Sequence, residues 1–345
     1  METSCADLHL DITIDENEIN KGATEIIKKI RPYWPMDQLY FKVFTNGITN
    51  KLIGVYYPEH YNEMVLVRVY GHKTDLLINR SDEIENILVL NKVGFTHSIY
   101  ATFNNGFAYE FLEGETLTVD TVRNVEIHCL IAKRMAQMHN LKPTHLEEFQ
   151  ESVIWGKAEN FMSLMPKCFS DASKQSRFQE LIRPYEVLQS EYNTLKEELT
   201  KLGSPVVYAH NDLLLTNILY NKKKNSVTFI DYEYTGYNYQ AFDIANHFAE
   251  FAGVDSPDFA LYPDEKFQKA WLKEYLQAYN ETDNVDEKDV NKLYIHVNKF
   301  VLLAHFFWGC WALVQSQYSH IDFDFLKYAA SRFNEYFHRK QNNLF

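Results

Sequence analysis

The chain has 345 residues, 46% hydrophobic and 15% aromatic, enough to bury a substantial core in one large domain or two lobes. A formal net charge of −13, with no lysine cluster long enough to make a basic face, argues against a nucleic-acid binder and suits a cationic small substrate better than a polyanion. Cys5, Cys129, Cys168 and Cys310 lie far apart, with neither C-x-x-C spacing nor a disulfide framework, and read as reduced thiols of a cytosolic protein.

In chain order, METSCADLHLDITIDENEI is acidic and has no basic n-region before an apolar stretch, so no secretory signal or transit peptide is expected. QLYFKVFTNGITNKLIGVYY and EMVLVRVYG hold β-branched and aromatic residues in short runs broken at Asn46-Gly47 and Pro58, which predicts an antiparallel hairpin and a further strand. RSDEIENILVLNKVG predicts a helix capped by Ser81 with Gly94 just past its end, and SIYATFNNGFAYEFLEG a hairpin turning at Asn104-Asn105-Gly106. The first third therefore reads as a small sheet lobe. After Gly114 the period becomes helical, in NVEIHCLIAKRMAQMHNL and again between residues 150 and 202. FVLLAHFFWGCWALV, from Phe300 to Val314, is shorter than the ~20 residues of a bilayer span and predicts a buried helix.

The chemistry concentrates in HNDLLLTNILYNKKKNSVTFIDYEY, residues 210–234. NILY and SVTFID read as two strands about the polar turn NKKKN, a hairpin that sets Asn217 almost opposite Asp231. Asp212 lies on the loop before the first strand, so two carboxylates and a carboxamide gather at one end. Such hard oxygen ligands suit Mg²⁺, which takes one or two protein carboxylates and completes its shell with water and phosphate. Asp212 can orient a hydroxyl and accept its proton. Isolated Asp and Asn beside strands are commonly turn formers. The joint pattern, H-x-D with Asn five residues on and then an apolar strand ending in Asp, is the one kinases use for catalytic loop and metal site.

HNDLLLTNIL, FIDYEYTGYNYQAFDIANHFAEFAG and HFFWGCWALVQSQYSHIDFDFLKYAASRF together resemble the choline/ethanolamine kinase family, and the Leu-Leu after HND is most like its ethanolamine branch. The resemblance continues upstream through TNGITNKLIGVYY, VLVRVYGHKTDLLINRSDEI and TFNNGFAYEFLEGETL, and is less distinct over residues 1–35 and about 145–200. It implies an α+β, bilobal protein-kinase-like fold, with a small antiparallel sheet lobe over residues 1–113 and a larger, mainly helical lobe over 114–345. It also implies ATP and Mg²⁺, phosphorylation of ethanolamine to phosphoethanolamine as the first step of the CDP-ethanolamine route to phosphatidylethanolamine, and a cytoplasmic protein without a membrane span or nucleic-acid partner. A homodimer is compatible with it.

By the same resemblance, Asp212 matches the catalytic-loop Asp that meets the substrate, Asn217 the loop's metal-binding Asn, and Asp231 the Asp that holds Mg²⁺ against the ATP phosphates. Arg68 matches the basic strand residue that serves catalysis and nucleotide binding, with Glu83 as its helix partner; its plain reading is an exposed strand charge. Gly47, Thr49 and Asn50 fall on the phosphate-covering turn, and Glu110 and Leu112 at the hinge, as nucleotide contacts. Tyr234, Glu250, Trp308 and Trp311 match the amino-alcohol pocket, where acidic groups and aromatic faces suit an ammonium; two tryptophans on an apolar helix also read as core packing. His210 and Asp243 are expected to be structural, Asp243 opening the helix DIANHFAEF and clamping the catalytic loop's backbone, with an N-cap as its ordinary reading. Leu214 stands where choline kinases usually carry Gln, which favours ethanolamine. A choline or dual kinase, and a catalytically dead binding protein, are the alternatives. An antibiotic or homoserine-type kinase is disfavoured by the Trp308/Trp311 helix.

Overall fold

The structure is a computed structural model that describes residues 8–44, 50–71, 77–143, 151–319 and 321–342. The chain falls into two compact units: Met1–Glu115 with Asn221–Lys223 and Thr228–Glu233, and Thr116–Tyr220 with Lys224–Val227 and Tyr234–Phe345.

The first unit runs β1 (His9–Leu10), α1 (Ile19–Ile30), β2 (Tyr40–Phe44), β3 (Asn50–Tyr56), β4 (Val65–Tyr70), α2 (Arg80–Lys92), β5 (Ile99–Phe103) and β6 (Gly106–Glu110). Its sheet has the order β1-β5-β6-β4-β3-β2. The expected hairpin and third strand are β2, β3 and β4, with Leu52 opposite both Phe44 and Arg68; the turn at Asn46-Gly47 lies outside the described residues. The sheet is not purely antiparallel, because β1 pairs parallel to β5. A two-residue strand in an acidic stretch offers no alternation to read. Helix α1 was not anticipated either, although Ala23, Ile26, Ile27 and Ile30 keep helical spacing and three of them are buried.

Strand period decides where Arg68 goes. Val65, Val67 and Val69 join Ala23, Ile26, Ile27, Ile53 and Val55 in one apolar cluster, so Arg68 belongs to the other face of β4. At α2, Asn79 rather than Ser81 is the cap: its side chain accepts from the Ser81 and Asp82 amides at 3.1 and 3.4 Å, and Ser81 is already helical. Gly94, at φ +70°, ends the helix as expected, with the Phe95 amide donating to the Leu90 carbonyl. The second hairpin turns through Asn104 and Asn105, with Phe103 opposite Gly106.

The second unit takes in α3 (Val119–Val122), α4 (Val125–His139), α5 (Val153–Leu164), α6 (Ala172–Leu181), α7 (Tyr185–Thr200), β8 (Val206–Ala209), β11 (Gly236–Tyr239), α8 (Gln240–Ala249), α9 (Glu265–Tyr279), α10 (Glu287–Tyr318) and α11 (Phe325–Gln341). Short strands β7 (Glu115–Thr116), β9 (Ile218–Asn221) and β10 (Ser226–Phe229) form a three-stranded sheet in the order β10-β9-β7. The predicted buried helix is the middle of α10, which extends to 32 residues and packs against α5, α7, α8, α9 and α11. It is long and apolar enough to cross a membrane, but its apolar window is 94% buried within the protein.

Gly106 sets a steric limit beside the site: a Cβ there would lie 2.0 Å from the Arg68 carbonyl oxygen. Gly106→Ala should therefore lower the unfolding free energy by roughly 1–3 kcal/mol. Gly156→Ala, on the exposed side of α5 where a Cβ meets nothing within 4 Å, should be neutral or stabilising. Urea denaturation of the two variants beside wild type checks this, and equal midpoints for all three would contradict it.

Candidate active site

Strands β8 and β11 pair antiparallel with Ala209 opposite Gly236, so the segment 210–235 leaves and returns at one point of the second unit. Asp243 anchors its start. The wholly buried carboxylate accepts from the His210 and Asn211 amides at 3.0 and 2.6 Å, and its Oδ2 lies 2.9 Å from His139 Nε2 on α4. His139 Nδ1 in turn meets the Tyr275 hydroxyl at 2.7 Å. Helix α8 begins at Gln240 with Tyr239 as its cap residue, so Asp243 lies inside the first turn and neither opens nor caps the helix. Burial pushes its carboxyl up, but the hydrogen bond and charge of His139, the charge of His210 and the Asn211 amide outweigh this and hold it below the usual range.

Asn211 adopts φ +69°, a left-handed conformation that a non-glycine residue needs support to hold. Its side chain supplies that support, accepting from Asn238 Nδ2 at 2.7 Å and donating to the Tyr234 carbonyl at 3.0 Å. The turn brings the buried Asp212 next in line. The Asp212 amide donates to His210 Nδ1 at 3.3 Å, and its carbonyl accepts from the Leu214 amide and from Asn217 Nδ2, both at 2.9 Å. Asn217 sits on the 3-10 turn Leu215–Asn217 rather than on the predicted strand, so its amide oxygen is oriented by the bond its nitrogen makes. His247 Nδ1 donates to the Leu213 carbonyl at 3.1 Å, and burial holds this imidazole down to about 4.

The same loop is tied to the aromatic helix. Asn246 Nδ2 donates to the Asn211 carbonyl at 3.2 Å, while its Oδ1 accepts from Trp308 Nε1 at 2.7 Å. Trp308 meets Tyr234 and Trp311 edge-on, at ring separations of 5.3 and 5.7 Å. Glu250 is buried at the end of α8 and ion-paired to Arg332 at 2.6 Å. Trp308 and Trp311 are each 4% exposed and pack into the core.

In the first unit, Arg68 is buried, not an exposed strand charge. It lies 3.0 Å from Asp231 Oδ1, 2.6 Å from Glu233 Oε2 and 3.0 Å from Glu83 Oε1. The Glu83 contact is an ion pair, and among the described residues that oxygen carries no hydrogen bond. Arg80 adds a second cation, 2.8 Å from Glu83 and 3.2 Å from Glu233. Burial and the Asp231 charge raise Glu233 to about 7, against the pull of Arg68. Asp231, at φ +67°, lies beyond the end of β10 rather than within it, and its side chain is 30% exposed. Glu83, Asp231 and Glu233 each bring one oxygen within 4.8 Å of the others. Hard carboxylate oxygens of this kind fit Mg²⁺.

Gly47 and Thr49 lie outside the described residues. Asn50 pairs with Tyr70 through the backbone, Glu110 accepts from the Ser98 amide at 3.1 Å, and Leu112 is half-buried. Asp212, Asn217, Tyr234, Glu250, Trp308 and Trp311 belong to the second unit; Arg68, Glu83 and Asp231 belong to the first.

A family model described as choline/ethanolamine kinase matches residues 41–337. The chain belongs to the choline/ethanolamine kinase family. Ethanolamine kinase 1 of Mus musculus is 46% identical over 338 residues, spanning 96% of this chain and 93% of its own length. Ethanolamine kinase 1 of Homo sapiens is also 46% identical, spanning 96% of this chain and 75% of its own. A solved structure of a Plasmodium vivax ethanolamine kinase matches with a TM-score of 0.81 at 29% identity, over 93% of this chain and 89% of that one. The fold is the α+β, protein-kinase-like one, with a small sheet in the first unit and mainly helices in the second.

Several residues of the site were given no role from the sequence. Glu233 follows Asp231 by two, the spacing that puts side chains on one side of an extended segment, and Arg80 precedes Glu83 by three on a predicted helix. Those signals were present. His139, Asn246 and Arg332 had none, because their partners are remote in sequence.

His247 gives the loop a pH signature. The unfolded imidazole takes its proton near 6.5 and the folded one only near 4, so stability is full above 6.5 and declines as pH falls towards 4. Between pH 7 and 5, wild type should lose about 2 kcal/mol more unfolding free energy than His247→Gln. Urea titrations at the two pH values measure it, and equal losses would show that His247 is not held neutral.

Proposed function

We propose that the protein is an ATP-dependent ethanolamine kinase, making phosphoethanolamine in the cytoplasm as the first step of the CDP-ethanolamine route. The observation that carries this is the Asp243-clamped loop presenting Asp212, in a chain 46% identical to two proteins named ethanolamine kinase.

In this reading residues 1–113 serve the nucleotide and 114–345 the chemistry and the amino alcohol. Asp212 orients the substrate hydroxyl and takes its proton as the oxygen bonds to the γ-phosphorus and the bond to the ADP oxygen breaks. Arg68, buttressed by Glu83 and Glu233, serves the ATP phosphates, with Glu110 and Leu112 as further nucleotide contacts. Asn217 and Asp231 hold Mg²⁺; the oriented amide oxygen of the one and the partly exposed carboxylate of the other support that assignment. Bound Mg²⁺ supplies charge neutralisation on the transferring group. Tyr234, Trp308 and Trp311 offer aromatic faces to the ammonium, and Glu250 an oxygen acceptor.

Asp212→Asn should lower kcat by roughly 10²–10⁴ with KM for ATP little changed, because the carboxamide keeps the shape and loses the base. Asp231→Ala should nearly abolish turnover, and Asn217→Ala should be milder and partly restored by excess Mg²⁺. A coupled ADP-release assay with metal titration reads all three. Near-normal kcat in a folded Asp212→Asn would remove the proposed role.

A primary ammonium carries three N–H donors and choline none. Buried acceptors left unpaired by choline cost about 1–3 kcal/mol each, so kcat/KM for ethanolamine should exceed that for choline by at least roughly tenfold. Mono- and dimethylethanolamine should fall between them. Equal or better turnover of choline by the same preparation would move the protein to the choline branch.

A further inference from the structure

Arg332 lies in the middle of α11 and is wholly buried, although no catalytic step requires it. Its Nη2 donates to Glu250 Oε1 and to the Tyr328 hydroxyl, both at 2.6 Å, and its Nε donates to the same hydroxyl at 3.0 Å. Nη1 lies 3.4 Å from His305 Nδ1 on α10, one turn before Trp308. The guanidinium thus spends its fork on fixing one carboxylate and one phenol. The other carboxylate oxygen, Glu250 Oε2, is buried and has no hydrogen-bond partner among the described residues. A buried acceptor in that state calls for a donor, and the described residues supply Oε2 with none.

We infer that Arg332 is a positioning residue for amino-alcohol recognition, holding Glu250 as an oriented carboxylate whose Oε2 accepts an N–H of a primary ammonium. The inference rests on the ethanolamine reading and explains how that preference is built. Arg332 cancels the charge of Glu250, so the pair offers little long-range attraction to a cation as such. What it offers is a directed acceptor, useful to a ligand with N–H donors and useless to a quaternary one.

The groups facing Glu250 are Arg332 and Tyr328 from α11, with His305 of α10 beyond the guanidinium; Arg339 acts on His305 and Asp212 on Tyr328 at longer range. Burial raises the Glu250 carboxyl and Arg332 is what pulls it back. Removing Arg332 therefore favours the protonated acid, increasingly as pH falls.

The test is steady-state kinetics of Arg332→Met, Arg332→Lys and Glu250→Gln with ethanolamine, choline and ATP between pH 6.5 and 8.5. Arg332→Met should raise KM for ethanolamine at least roughly tenfold, more at low pH, and leave kcat and the KM values for ATP and choline within about threefold. Arg332→Lys should recover part of the loss. Glu250→Gln should show the same selective loss without the pH dependence. The inference is overturned if KM for ethanolamine stays at the wild-type value, or if all three KM values rise together as they would in a merely loosened fold. If Arg332→Met fails to fold, Arg332→Lys is read by the same criteria, and a Glu250→Gln enzyme with wild-type KM for ethanolamine overturns the inference in either case. Wild-type enzyme that phosphorylates neither amino alcohol would instead sink the kinase reading on which the inference stands.

Discussion

The buried carboxylate of Asp243 is the constraint on which the second unit's chemistry depends. It accepts two consecutive amides, those of His210 and Asn211, and this fixes the chain in the left-handed turn that precedes Asp212. A buried charge of this kind is tolerable only when its hydrogen-bond capacity is filled, and His139 with Tyr275 behind it completes the set. From that point order propagates by backbone bonds. The Asp212 carbonyl fixes Asn217, the Leu213 carbonyl engages His247, and the Asn211 carbonyl reaches Trp308 through Asn246. A functional side chain must be held within a few tenths of an ångström of its working position, and this network supplies such rigidity to the segment that carries Asp212.

Charge is handled differently in the two units. In the first, the described residues gather three carboxylates, Glu83, Asp231 and Glu233, against the guanidiniums of Arg68 and Arg80. Such oxygens suit a divalent cation, and burial first, then the Asp231 charge, raises the Glu233 carboxyl to about 7. In the second, Glu250 and Arg332 balance one another, and what remains is an acceptor with direction but little net charge. One arrangement suits metal and polyphosphate, the other a small donor-rich cation.

Much of the fold was legible because it follows from short-range pattern. The alternation in VLVRVY is the β4 strand, the turn residues of TFNNGF are the hairpin loop, and the apolar positions of α4 and α10 keep helical spacing. The α2 cap was misplaced by two residues because Asn79 and Ser81 are equally good caps in isolation and only the extended backbone at Asn79 decides between them. Strand β1 and its parallel pairing depend on a partner some ninety residues away, as His9 opposite Thr102 shows, and no local signal announces that. At the site, residue types and spacing singled out Asp212, Asn217 and Asp231, but the predicted strands ran too far. Asn217 lies on a 3-10 turn and Asp231, at φ +67°, past a strand end, and neither departure from the ladder is signalled by residue type. Buried second partners such as His139 and Arg332 become visible only once α4, α8 and α11 are packed.

The central claim is that this geometry transfers a phosphoryl group from ATP to the hydroxyl of a primary amino alcohol. The most direct measurement is ³¹P NMR of the purified protein incubated with ATP, Mg²⁺ and ethanolamine. The account predicts a phosphomonoester resonance that grows in step with ADP and co-migrates with added phosphoethanolamine. ATP turning over to inorganic phosphate alone, or not at all, would contradict it.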